Sequence, residues 1–261
     1  MRSMGRASAL VALVALVAAG FALAASVSGQ RATRDAAVPF KVGETLGYDV
    51  TWSSYLTAGS AVTRVAARQR SADSTAYSIV AEGRPVGLLA KLYTLNFRMD
   101  TLLDSVALLP HRSSLALEES TGRHRSTTTF DRKADRVFFE VQGDAAFKVD
   151  FEAPPQVQDG LSALYVLRAM AFRTGARFML PITDEGFLYN MHVDTGPEER
   201  VRVPAGEFPA WNLQVAIVDA EGLSPPTKAT VWISTDARRL PVKLEAGLPM
   251  GTFVLALRDA Q

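Results

Sequence analysis

The sequence predicts a mainly β protein: a strongly curved antiparallel sheet, half-barrel or barrel-like, packed on one central helix. Three observations predict it. After about residue 39 the chain alternates apolar and polar residues with a period of two, the mark of half-buried strands. Polar turns interrupt that alternation at short intervals, which suits antiparallel neighbours joined by tight links. One segment, 159–172, is apolar on nearly every side at helical spacing, so it needs cover on nearly every side. A sheet curved over it supplies that cover.

The chain begins with Arg2 and Arg6, then an apolar stretch over 7–25 that ends in Ala22, Ala24, Ala25 and Ser26. Charge, apolar body and small-residue exit in that order make 1–26 a secretory signal peptide. The stretch also approaches the ~20 residues of a membrane-spanning helix, so an uncleaved N-terminal anchor is the rival reading. The Ala22 and Ala24 pair favours cleavage. The chain has no Cys. That excludes a lipid anchor on a cleavage-point cysteine, disulfides, thiolate nucleophiles and Cys-ligated metals. Residues 27–38 read as a flexible leader and 39–261 as a single β-rich domain, with Pro154-Pro155 as the seam if there are two lobes.

Bulk composition narrows the function classes. Hydrophobic residues make up 48% of the chain, which argues against disorder. There are 28 basic and 27 acidic residues, and removing Arg2 and Arg6 leaves the body one charge negative. A near-neutral body has no long-range field to steer it onto nucleic acid.

The elements follow in order. Residues 46–52 put Leu46, Tyr48, Val50 and Trp52 on one face. Strands are expected at 61–65 and 77–81, with a turn over 70–74. A short helix or lid begins after Pro85, over 86–93. Strands follow at 95–100, 113–117, 126–130, 136–141 and 146–151, with a polar turn at 131–135. Asp159 is a natural N-cap for the helix over 159–172, since its carboxylate can accept first-turn N–H groups. Gly175 marks its end. The remaining strands are 187–193, 200–203, 211–218, 228–233, 240–245 and 252–257. Pro204-Ala205-Gly206 turns between two of them and 234–238 between two others.

The candidate ligand-binding residues are Arg168, Tyr165, Trp52, Leu89 and Tyr93. Arg168 shares the stripe of Leu161, Leu164 and Phe172. It has two readings: a buried ion pair with a carboxylate such as Glu44 or Asp49, or an anion-gripping arm inside a ligand cavity. Trp52, Trp211 and Trp232 read as core packing first and as an aromatic wall second. Val86, Leu88, Leu89, Leu92 and Tyr93 would form a lid over any cavity. Asp236 with Arg238 and Arg239 reads as a strand-link turn with a surface ion pair. His111, His124 and His192 lack metal-ligand spacing, and no serine sits in a Gly-x-Ser-x-Gly elbow. No catalytic residue, metal or cofactor is expected.

Four segments together resemble a known family. They are Gly43-Glu44-x-Leu46-x-Tyr48-x-Val50-x-Trp52 with Gly59 after it, the run Asp159 to Arg168, Val203-Pro204-Ala205-Gly206-x-Phe208-x-Ala210, and the run Trp232 to Lys243. In this order, behind a signal peptide, they are similar to the exported bacterial "domain of unknown function 3108". The resemblance spans about 39–257. It implies a periplasmic, β-rich protein and brings no catalytic residues. A curved sheet around a buried helix is also similar, by analogy of fold, to the lipoprotein-carrier folds of the Gram-negative periplasm. The resulting expectation is a non-enzymatic binding or chaperone-type module of the cell envelope, holding an apolar or amphipathic ligand such as a lipid or acylated chain. The rival is a structural or interaction protein with an envelope protein partner, in an envelope or polysaccharide assembly. An envelope hydrolase ranks last. Membrane contact is expected only through an uncleaved signal.

Overall fold

The computed structural model describes residues 35–261 apart from 54–55, 72–73, 88, 93, 121, 144–145, 222–224 and 249–250, and apart from the side chains of 56, 89 and 92. The signal segment 1–26 and residues 27–34 lie outside the described residues. The chain is tied down from Asp35 onward. Asp35 accepts from Arg68 (2.5 Å) and Ser105 Oγ (2.8 Å), and the Ala36 N–H donates to the Ser105 carbonyl.

The elements are β1 (Thr45–Trp52), β2 (Leu56–Ser71), β3 (Ser74–Pro85), α1 (Leu89–Leu92), β4 (Leu95–Asp104), β5 (Pro110–Glu119), β6 (Gly122–Asp131), β7 (Arg136–Gln142) and β8 (Phe147–Glu152). Then come α2 (Gly160–Ala169), β9 (Arg177–Asp184), β10 (Phe187–Val203), β11 (Gly206–Asp219), β12 (Thr227–Ser234), β13 (Pro241–Leu248) and β14 (Gly251–Ala260). The strands form one antiparallel 14-stranded sheet in the order β8-β7-β6-β5-β4-β3-β2-β1-β14-β13-β12-β11-β10-β9. It is two meanders joined where β1 pairs with β14, the two ends of the described chain. The free edges are β8 and β9, and the segment between them carries α2 across the inside of the curl.

Alternation explains the packing. Opposite residues of an antiparallel pair share a face. The register therefore sets Leu46, Tyr48 and Val50 opposite Ala260, Leu257 and Leu255 of β14, and across β2 to β5 it puts Ala61, Ile79, Met99 and Leu115 on the same face. That inner face wraps α2, in which eight of ten residues are buried. Leu161, Ala163 and Leu167 are fully covered. Each such leucine contributes about 1.5–3 kcal/mol of burial.

The curl stays open but its edges overlap. Gly186, at the β9–β10 turn, lies against the Phe139 ring, and Leu188 packs on Phe130, Val137, Ala153 and Val157. Arg132, in the β6–β7 turn, donates to the carbonyls of Pro110, Pro155 and Val157 and so fastens the crossing segment.

Four expectations change. The central helix ends at Ala169, because Met170 is extended (ψ 151°), and Phe172 stacks on Phe178 and lies tilted against Trp211, each ring 6.3 Å away. Gly175 therefore serves the following turn, where its N–H donates to the Thr195 carbonyl. Residues 187–193 and 200–203 belong to one 17-residue strand, bulged between Thr195 and Glu198. Strand β9 has no counterpart in the alternation reading. Its run Phe178-Met179-Leu180-Pro181-Ile182 does not alternate, and its proline is tolerated because β9 is an edge. The expected helix over 86–93 is a single turn, Leu89–Leu92.

Candidate functional site

Arg168 lies on the last turn of α2, aimed at the start of β1. Its side chain is fully buried, and that of Glu44 nearly so. Nη1 and Nη2 donate to the two Glu44 carboxylate oxygens at 2.6 and 2.8 Å. Nε donates to the Arg239 carbonyl (3.0 Å) and Nη2 to the Arg238 carbonyl (3.1 Å). A guanidinium has five N–H groups, so four are committed within the protein. Burial alone would lower its pKa, but the hydrogen bonds and charge of Glu44, with nearby Tyr165 and Tyr48, outweigh burial and raise it. Asp49, the other carboxylate considered for Arg168, pairs with Arg258 at 3.0 Å.

An aromatic cage surrounds the ion pair. The guanidinium lies 5.0 Å from the Tyr165 ring centroid and 5.4 Å from that of Phe40, and Phe40 meets Tyr165 edge-on at 4.9 Å. No hydrogen bond of ordinary geometry reaches the buried hydroxyls of Tyr48, Tyr165 or Thr63. Burial pushes both phenols well above their usual range, with the Glu44 charge adding to it and Arg168 and Thr63 opposing it.

The structure thus brings Arg168 and Tyr165 together, with Glu44, at a fully internal site. Trp52 lies at the opposite end of β1, stacked with Phe253 (6.2 Å, 12°). Leu89 sits on α1. Its side chain and the whole of Tyr93 lie outside the described residues. Trp211 touches Phe172, and Trp232 is covered by Lys243 Nζ, 4.4 Å from its ring. Asp236 accepts from Ser234 Oγ, which accepts the Leu240 N–H, so this group shapes the β12–β13 turn. His111 Nε2 stands 3.2 Å from both Asp104 Oδ2 and Ser74 Oγ. Both contacts use the same ring nitrogen, whereas a nucleophile–base–acid relay needs one on each.

A recess of a different kind lies on the outer face of β10–β14. It is an open trough of about 490 Å³, lined by the side chains of His192, Asp194, Gln214, Lys228, Glu245 and their neighbours. Register explains it. His192, Ala216, Lys228, Gly247 and Thr252 form one row across five strands, and Asp194, Gln214, Thr230 and Glu245 form the next. The small Ala216 and Gly247 leave the first row hollow.

A relay holds the polar floor. Asn212 donates to Glu199 (2.8 Å), Gln214 donates to Asn212 (2.6 Å), and Thr230 donates to Gln214 (3.3 Å). The Trp232 indole N–H also donates to Glu199. Gln214 is therefore held through both its amide nitrogen and its amide oxygen before any ligand arrives. Sequence reading passed over these residues because alternate polar positions on a strand look the same whether they line a recess or a plain surface.

Residues 47–258 match the family model described as "Protein of unknown function (DUF3108)". The chain belongs to this family. Among curated proteins none matches it. Among solved structures, it is similar to the β-barrel-like DUF1849 protein of Brucella abortus, with a TM-score of 0.57 at 11% identity over 84% of this chain and 97% of that one. It matches a candidate lipoprotein of Parabacteroides distasonis with a TM-score of 0.37 at 9% identity, over 87% of this chain and 100% of that one. The first likeness gives the DUF3108 chain a shared curled-sheet fold, and at that identity it speaks to fold alone.

Proposed function

We propose that this DUF3108 protein is a non-enzymatic binding module of the bacterial periplasm that recognises a saccharide through the outer trough on β10–β14. The observation that carries the reading is the occupancy of the interior. A carrier would hold its ligand inside the curl, and α2 fills that space with fully buried side chains. The trough is open, falls within the usual size of small-ligand sites, and presents an amide, hydroxyls and opposite charges. With one Lys facing one Asp and one Glu, it has little net field for an anion or a polyanion. A ligand dense in hydroxyls and weak in charge fits that lining. The N-terminal signal pattern supports export, and the single-nitrogen contacts of His111 support binding over catalysis.

The test is calorimetric titration of the mature chain with neutral and weakly charged oligosaccharides from bacterial envelopes, beside native mass spectrometry of the same preparation. Binding is expected, and Gln214→Ala should weaken it at least ~10-fold, the worth of one oriented hydrogen bond, with Tm unchanged. No saccharide binding, together with copurified lipid, would return the ligand to the interior and require α2 to move.

A further inference from the structure

We infer that the protein self-associates through edge strand β8, as a twofold dimer in which two copies of Phe147–Glu152 pair antiparallel about Val149. This rests on the sheet edge and is independent of the trough. Strand β8 has β7 on one side only and ends the sheet. An edge strand leaves alternate N–H and C=O groups without ladder partners. Five of its six residues are exposed, among them Phe147 (42%) and Val149 (39%). The register with β7 puts Phe147, Val149 and Phe151 on the inner face, beside Val141, Phe139 and Val137. Lys148 and Asp150 fall on the outer face, beside Glu140 and Phe138. An exposed apolar row on the inner face of an edge is uncovered core.

The sequence Phe-Lys-Val-Asp-Phe is complementary to itself when reversed. An antiparallel pair centred on Val149 sets it opposite Val149 of the second copy. Phe147 then faces Phe151, and Lys148 faces Asp150, twice over by symmetry. Opposite residues of an antiparallel pair share a face, so apolar meets apolar on the inner side and unlike charges meet on the outer side. An isologous contact needs this self-complementarity. A lysine on an edge ordinarily repels a partner strand, but in this register its neighbour is an aspartate. Shifting the register by two residues sets Asp150 opposite Asp150 in one direction and Lys148 opposite Lys148 in the other, so each alternative brings like charges together at its centre. The patch is short, so the dimer should be concentration-dependent.

The test is sedimentation velocity of the mature chain over a concentration series, with Tm of each variant as the folding control. The wild type should show a monomer–dimer equilibrium. Lys148→Asp should weaken it about 10-fold, because it sets an acid opposite Asp150 of the second copy. Since the chain has no cysteine, Val149→Cys introduces a single thiol. Cα atoms directly opposite in an antiparallel pair lie about 4.5–5.5 Å apart, within disulfide reach. Diamide oxidation should therefore link Val149→Cys into a dimer and leave Lys228→Cys monomeric. A chain that stays monomeric at all concentrations, or a dimer indifferent to Lys148→Asp, would overturn the inference.

Discussion

Replacing Arg168 with Met separates a structural role for this residue from a ligand-gripping one. The substitution keeps most of the apolar stem on α2 and removes four hydrogen bonds, two to Glu44 and one each to the carbonyls of Arg238 and Arg239. It leaves the Glu44 carboxylate, 5% exposed, without its counter-charge. Breaking a buried pair by removing one partner costs about 3–5 kcal/mol, mostly from the stranded charge. For a domain of this size each kcal/mol lowers Tm by about 2–4 °C, so the drop should be roughly 6–20 °C. Removing both partners, Arg168→Met with Glu44→Leu, should recover most of the loss, since an apolar replacement of a buried pair is often neutral. The assay is thermal unfolding followed by circular dichroism for both single variants and the double, closed as a double-mutant cycle. A fall below about 2 °C for Arg168→Met would refute the reasoning, because such a guanidinium could not be neutralising a desolvated carboxylate.

Two further outcomes are expected. Asp159 Oδ1 accepts from the N–H groups of Leu161 and Ser162 and from Thr101 Oγ1, so Asp159→Ala should cost about 2 kcal/mol in a urea titration. Asp159→Asn, which keeps an acceptor, should cost less, and equal losses would contradict the capping role. Burial first, then the Glu185 charge and that of Asp159, push Asp184 up to about 7, against a backbone N–H of Glu185. The folded form then holds a proton that the unfolded chain releases above its ordinary value near 3.8. Stability should therefore fall as pH rises from about 4 to about 7. Asp184→Asn should flatten that fall, so its Tm relative to wild type rises from pH 4 to pH 8, and parallel Tm curves would exclude the assignment.

Much of the fold was legible in the residue pattern. Alternation located thirteen of the fourteen strands in part, since an antiparallel sheet with one buried face writes its geometry as a period of two. Asp159 was readable as a cap from its place before an apolar run, and it forms a capping box with Ser162. Strand β9 was not readable. An edge tolerates Pro181 and needs no strict alternation, so its identity comes from pairing with β10. Gly59 stood among the resembling residues without a reason. A Cβ there would lie 2.6 Å from the Arg84 carbonyl oxygen on β3, a backbone atom that cannot step aside.

The sequence by itself determined the class of fold, the single buried helix, the export signal pattern and the family. Each is written in local spacing, where neighbours within a few residues set the signal. Tertiary structure alone decided which of two carboxylates meets Arg168, that β1 pairs with β14, that the sheet stays open between β8 and β9, and that Ala216 and Gly247 hollow a trough. The reason is distance along the chain. Glu44 and Arg168 are 124 residues apart, and the trough draws on five strands. Contacts of that range depend on the register of every intervening pair, and no local pattern encodes it.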